Sequence, residues 1–267
     1  MTEPWRIACT LLVGFATGIL SGMFGVGGAV LSTPAIRALG VPPIDAIGTT
    51  LPSIFPSAVS GTLRYRREGL IRRGTVVLVG ATGSVAAIGF SFLSHHVPGH
   101  GHVLMIVTAG LVAFTAWRMS HAPQEPESIE PAATPSGEGR LVGGLTWHAA
   151  VVGVGAGGLS GLLGVGGGVI MVPAFAQWMG FPIKEAVGTS LACVGILAIP
   201  STLTHMYLGD IEWAYAIPLC IGVIPGARIG AYLALRASDR GLRIAVATML
   251  GVIAVVYAAG EIIALVQ

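Results

Sequence analysis

Charge is scarce in this sequence. Of 267 residues only 10% are Asp, Glu, Lys or Arg, while 54% are hydrophobic. A soluble domain carries roughly 25% charged residues, and a chain this poor in charge cannot cover itself with a wetted surface. That excludes an ordinary soluble protein. Cysteine is scarce too. Cys9, Cys193 and Cys220 lie within apolar runs, without partners at metal-ligand spacing, so they read as small packing residues with no disulfide framework. No convergent set of nucleophile, acid and base is found, which argues against an enzyme. Alternating polar and apolar strands are missing, which excludes a transmembrane barrel. The first residues, MTEPWRIACTLLVGF, carry an acid, one Arg and no convincing cleavage site, so the first span reads as retained.

What is present is a series of apolar runs near the 20 residues needed to cross hydrocarbon. Leu78–Leu93 with its flanks, Val103–Met119, Val187–Leu208, Trp213–Leu235 and Ile244–Val266 qualify. The fold class is therefore an all-α polytopic protein of an inner, cytoplasmic-type membrane, with the lipid bilayer as one partner.

The chain also repeats itself. SGMFGVGGAVL (Ser21–Leu31) returns as SGLLGVGGGVI (Ser160–Ile170), and GVPPIDAIGTTL (Gly40–Leu51) returns as GFPIKEAVGTSL (Gly180–Leu191). The offset is 139 or 140 residues, so the chain divides into a first transmembrane repeat, 1–119, and a second, 146–267. Between them, 120–145 is rich in Pro, Glu, Ser and Gly, a solvated and flexible linker expected in the cytoplasm.

Arginine placement sets the orientation of each half. The loop after the second span of the first half holds Arg64, Arg66, Arg67, Arg72 and Arg73, and reads as cytoplasmic. Its counterpart, Tyr207–Glu212, has no Lys or Arg and reads as external. Ser94–His102 has none either, whereas its counterpart holds Arg236, Arg240 and Arg243. Equivalent loops thus fall on opposite sides, giving two inverted-topology repeats, an architecture common among secondary transporters. Inversion needs an odd number of crossings per half, so the glycine region must enter and leave on one side. Each half is expected to be a bent, glycine-broken helical hairpin plus three transmembrane helices, ten elements in all.

The glycines at the breaks are Gly25, Gly27, Gly28 and Gly164, Gly166, Gly167. Two readings stand. A helix starting just after a break aims free N–H groups and its dipole at an anion, or the glycines serve close helix packing. A nucleotide-binding reading fails, since no strand precedes GVGG and no acidic partner follows. Asp45 and Glu185 fall in the first turn of the next helix, where a carboxylate favours the dipole. Thr49, Thr50, Thr189 and Ser190 follow one turn on, able to bond an oxyanion or their own helix. Arg228 stands inside a span and is a functional candidate by default, or an anchor that snorkels toward Arg236. His95, His96, His100 and His102 match no strict metal spacing. His205 reads as an interfacial residue rather than a proton carrier. None of Asp45, Glu185, Asp210 and Glu212 reads as clearly buried, which favours facilitated movement over a proton relay. No metal, cofactor or nucleic-acid partner is expected.

The paired phrases SGMFGVGGAVLSTPAI and SGLLGVGGGVIMVPAF, each followed by the Gly-Thr helix start, resemble the sulfite exporter TauE/SafE family, also called the toluene sulfonate uptake permeases. The resemblance covers both halves and excludes the linker. The first repeat departs at Ala29, where the second has a further glycine, and has Pro43 and Asp45 where the second has Ile183 and Glu185. The resemblance implies secondary transport of a small, often sulfur-containing anion such as sulfite or an organosulfonate, often outward, by alternating access. An anion channel and a non-transport membrane factor for sulfur or metal metabolism are the alternatives. The oligomeric state is open, a homodimer included.

Overall fold

The computed structural model describes residues 4–94, 102–120, 143–164 and 166–266. The core of the expected linker, 121–142, lies outside them, as do His95, His96 and His100. Ten helices follow one another: α1 (Pro4–Phe24), α2 (Ala29–Ala38), α3 (Pro43–Arg67), α4 (Arg73–Ser94), α5 (His102–Ser120), α6 (Gly143–Leu163), α7 (Gly168–Gln177), α8 (Ile183–Leu208), α9 (Trp213–Arg236) and α10 (Asp239–Val266). Among the described residues there is no strand.

By length and composition, α1, α4, α8 and α9 can each cross a membrane. Their outward faces are apolar: Leu12 and Val77 are each 69% exposed and Val85 is 75% exposed. That is the surface a chain presents to lipid tails. α3 is just as long but more polar, and its hydroxyls are turned inward: Thr49, Thr50, Ser53, Ser57 and Ser60 are all buried. α2 and α7 have 10 residues each. At 1.5 Å per residue such a helix is about 15 Å long, roughly half the hydrocarbon thickness.

The elements pair in a repeating scheme. α1 packs on α9 and α6 on α4; α3 packs on α9 and α8 on α4; α5 packs on α10, and α3 on α8 at the centre. Hence α1 leans on α9, late in the chain, and α6 leans on α4, early in it. Glycine makes this contact close. Gly14, Gly18 and Gly22 of α1 face the α9 backbone, and Gly222, Gly226 and Gly230 of α9 face α1. A Cβ on Gly222 would stand 2.4 Å from the Leu11 carbonyl oxygen, and one on Gly226 2.2 Å from that of Phe15. Gly153, Gly157 and Gly161 of α6 face Val79, Gly83 and Ala87 of α4 in the same way. These are Gly-xxx-Gly-xxx-Gly stripes, four residues apart on one helix face. From the sequence, small-residue packing is expected only at the breaks; the structure extends it along α1, α6 and α9.

Both ends of the α1–α2 unit reach the start of α9. Arg6 of α1 donates to the Tyr215 hydroxyl at 3.1 Å, and Ile36 and Val41 at the far end of α2 cluster with Tyr215. The unit therefore enters and leaves at the same end of the bundle. At the other end, the α3 C-terminus, the α9 C-terminus and the α8 N-terminus gather Arg64, Arg236 and Lys184 around one cavity. We call this the arginine-rich end.

Candidate functional site

The backbone breaks where the glycine phrases fall. Gly25, Gly27 and Gly28 have φ of 71°, 83° and 80°, and Gly164, Gly166 and Gly167 have φ of 63°, 79° and 68°. L side chains rarely adopt this left-handed region, so glycine is required at each step. Gly28 and Gly167 then cap α2 and α7, and neither helix has a side-chain cap. The first N–H groups of both short helices therefore point back into the break, without partners inside their own helix.

The two breaks touch. A Cβ on Gly168, the first residue of α7, would lie 2.5 Å from the Gly25 carbonyl oxygen. Gly27 and Gly166 both abut Ile54 of α3 and Val194 of α8, the two central helices. Each break glycine lies within contact of other protein atoms, so the junction is closed and its near walls are apolar.

The Gly-Thr helix starts have a definite local role. Gly48 lets the chain at Asp210 lie against α3: a Cβ there would be 2.4 Å from the Asp210 carbonyl oxygen. Thr49 next to it accepts a hydrogen bond from the Glu212 N–H at 2.9 Å. In the other half, Gly188 faces the Leu70 carbonyl and Thr189 accepts from the Arg72 N–H at 3.2 Å. Each motif thus clasps the loop that precedes a helix of the opposite half's wall. Ser190 donates to the Gly25 carbonyl at 2.8 Å, tying α8 to the first break. Thr50 donates to the Ile47 carbonyl, so Thr33 is the donor in their 3.1 Å hydroxyl pair. Thr189→Val is expected to cost about 1–3 kcal/mol by stranding the Arg72 N–H. A melting curve should read this as a fall of roughly 2–10 °C.

Asp45 and Glu185 do open α3 and α8. Glu185 also holds Arg72, whose Nε donates to Oε2 at 2.8 Å while its guanidinium lies over the Phe181 ring at 4.2 Å.

Two expectations, for His205 and for Asp210, need correction. His205 is not interfacial: it is 0% exposed, its Nδ1 lies 2.7 Å from Asp210 Oδ2, and its Nε2 lies 3.2 Å from the Gly161 carbonyl. Asp210, at 4% exposure, is a buried acid. The reason is that Gly209 (φ 85°) ends α8 and turns the chain back, so Asp210 faces the last turn of α8. Arg228, in turn, is on the exposed face of α9, half a helical turn from the glycine stripe that packs on α1. The structure does not bring it to the junction of the breaks.

One basic cavity accompanies the junction. At the arginine-rich end a space of about 450 Å³ is lined by Arg64, Lys184, Arg236, Tyr232 and a single acid, Glu68. The guanidiniums of Arg64 and Arg236 lie 5.3 Å and 4.3 Å from the centre of the same Tyr232 ring. Both lie within cation–π range of its face. Arg64 Nε is buried and has no hydrogen-bond partner among the described residues. Sequence reasoning missed this cavity because its members come from three helices. Among the described residues, no cluster of His, Cys, Asp and Glu could hold a metal.

Long apolar helices, lipid-like outer faces and half-length helices meeting at glycine breaks define a multi-pass membrane protein built like a transporter. The chain belongs to the sulfite exporter TauE/SafE family, whose profile matches residues 10–257. Its relatives include a "Probable membrane transporter protein" of Xylella fastidiosa (strain 9a5c), 28% identical over 229 residues, covering 85% of this chain and 83% of that one. YunE of Bacillus subtilis (strain 168), another probable membrane transporter protein, is 27% identical over 238 residues, 83% of this chain and 86% of its own. MJ0441 of Methanocaldococcus jannaschii, also so described, is 24% identical over 262 residues, 91% of each chain. No solved structure matches.

Proposed function

We propose that the protein is a secondary transporter that moves a small anion, sulfite or an organosulfonate, across the cytoplasmic membrane by alternating access. The observation that carries this reading is the meeting of two helix N-termini, each opened by left-handed glycines and neither capped by a side chain. Partial positive charge at two such ends is what a small anion needs, at a depth where no water competes. The anion would sit between Gly25, Gly27 and Gly28 on one side and Gly164, Gly166 and Gly167 on the other. Thr49, Thr50, Thr189 and Ser190 stand behind them. Thr49 and Thr189 accept from backbone N–H groups, which leaves each its own hydroxyl proton to give. The basic cavity is the mouth through which the anion enters from the cytoplasm.

The two halves are inverted repeats in this reading. It is supported by the loop contacts: the start of α3 meets the α8–α9 loop, whereas the start of α8 meets the α3–α4 loop at the arginine-rich end. Parting the closed junction toward one end and then the other is the transport cycle. The linker at 120–145 joins the halves in the cytoplasm. The sulfur in the substrate comes from the family's name alone.

The test is a thermal-stability screen of purified protein against sulfite, thiosulfate, sulfoacetate, taurine, sulfate and chloride. A ligand stabilises the state it binds, by about 2.7 kcal/mol at a hundredfold excess over Kd. A saturable shift with one sulfur oxyanion, lost in Gly166→Ala, supports the reading. A Cβ there meets the side-chain ends of Val194 and Ile54 at 3.2 and 3.3 Å and alanine is strained at the φ of 79°, so the variant's own cooperative melting curve is the control that it folds. No shift with any anion would leave the breaks as packing alone.

A further inference from the structure

We propose that the lipid-facing groove between α3 and α9 at the arginine-rich end binds the headgroup of an anionic phospholipid, its phosphate held by Arg64, Arg228 and Arg236. Such a site needs only that α9 span the membrane, whatever solute is carried.

The three guanidiniums share one property. Among the described residues none has a hydrogen-bond or ion-pair partner, and Arg64 Nε is buried besides. Arg64 and Arg236 rest instead on the Tyr232 ring. Other cations at this end are answered: Arg72 by Glu185, and Lys184 by Asp239 Oδ1 at 3.2 Å. Glu68, the single acid of the cavity lining, offsets at most one of the three. Arginine does not shed its proton. The remaining charge therefore calls for an anion from outside the chain, and the guanidinium fork suits phosphate oxygens.

Position selects the source of that phosphate. α9 has 24 residues, Trp213–Arg236. Its length of about 36 Å exceeds the roughly 30 Å of hydrocarbon, so both of its ends reach headgroup level. Arg228, Tyr232 and Arg236 follow at four-residue steps, in one row along the helix. Arg228 thus lies about 12 Å inward of Arg236, on the exposed face. A guanidinium at that depth turns along the helix toward the interface, where lipid phosphate is the anion at hand. α3 runs beside this row. Ser60 donates to the Ile224 carbonyl at 2.9 Å, which sets Arg64 level with Arg228 one turn later. The surrounding surface is apolar and exposed: Val59 and Leu63 of α3, Ile229 and Leu233 of α9. Acyl chains cover it. The repeat offers an internal control, since Arg228 corresponds to Ala87 or Ile88 of α4. The fold itself needs no cation at this position. With a headgroup in place, lipid forms the membrane-side wall of the basic cavity, and Lys184 in the first turn of α8 stands on its inner side.

The experiment titrates the purified full chain with dioleoylphosphatidylglycerol or dioleoylphosphatidylcholine and counts bound lipid by native mass spectrometry. One arginine near an anionic lipid is worth about fivefold in binding. Wild type is expected to prefer phosphatidylglycerol by about tenfold or more. Arg228→Gln alone should cut that preference about fivefold, and Arg228→Gln with Arg236→Gln should bring it close to none. Both side chains are exposed, so packing is left alone. Arg73→Gln with Arg240→Gln removes two exposed arginines of the same end that do not line the cavity, and should leave the preference within about twofold of wild type. Inorganic phosphate in millimolar excess should not displace the lipid. No preference in the wild type, an unchanged preference in the groove variants, or an equal loss in the control pair overturns the site. Displacement by inorganic phosphate overturns the lipid as occupant and makes the cavity a pocket for soluble oxyanions. None of these outcomes bears on whether an anion binds at the glycine breaks, which the thermal-stability screen decides separately.

Discussion

Gly157→Leu is expected to yield no folded protein, while Gly155→Leu, two residues away on α6, folds like the wild type. A Cβ on Gly157 would stand 2.0 Å from the Gly83 carbonyl oxygen and 2.6 Å from its Cα, both backbone atoms of α4. No rotamer relieves that contact; the helices must separate, and Gly153 and Gly161 on the same stripe would lose their close approach with them. Overpacking costs typically 1–3 kcal/mol where side chains can yield, and here they cannot. Gly155 has nothing within 4 Å of its Cβ direction and faces outward, where leucine meets lipid. Size-exclusion chromatography of detergent extracts separates the outcomes. A monodisperse Gly157→Leu peak would show that α4 and α6 are not held by backbone contact.

The second large effect is His205→Leu. The change removes the ring nitrogen from the Asp210 carboxylate and the donor from the Gly161 carbonyl, both at fully buried positions. Breaking a buried pair by deleting one partner costs about 3–5 kcal/mol, more than the pair itself contributes, because the remaining group keeps its desolvation penalty. Melting should fall by roughly 6–20 °C. The double change, His205→Tyr with Asp210→Leu, should recover most of the loss, since tyrosine restores the donor and leucine removes the carboxylate. A double variant as unstable as the single one would mean that Asp210 is held for its contacts to the rest of the fold.

Much of this architecture is legible in the chain. The hydropathic runs locate helices, and the repeated phrase locates both breaks and the short helices after them. Family membership follows from the same phrases. What the chain does not show shares a cause. The loop contacts of Thr49 and Thr189 are hidden because their partners are backbone N–H groups 163 and 117 residues away. His205 looks interfacial because a helix end in hydropathy says nothing about what the next turn does. Its partner Asp210 is five residues on, but only the left-handed turn at Gly209 brings it back. The glycine stripes of α1, α6 and α9 are visible at four-residue spacing; the break glycines, denser and repeated, overshadow them.

The pairing of α1 with α9 has a consequence for how the protein is made. α1 is synthesised first, yet its wall is the ninth helix, with almost the whole chain between them. At roughly 5–20 residues per second the ribosome needs on the order of 10–40 s to supply it. During that interval the Gly14, Gly18 and Gly22 face waits in the membrane, where the insertion machinery or lipid must shelter it. Neither half carries the wall for its own hairpin. Encoded as two separate polypeptides, the halves should be degraded alone and accumulate only when translated in the same cell.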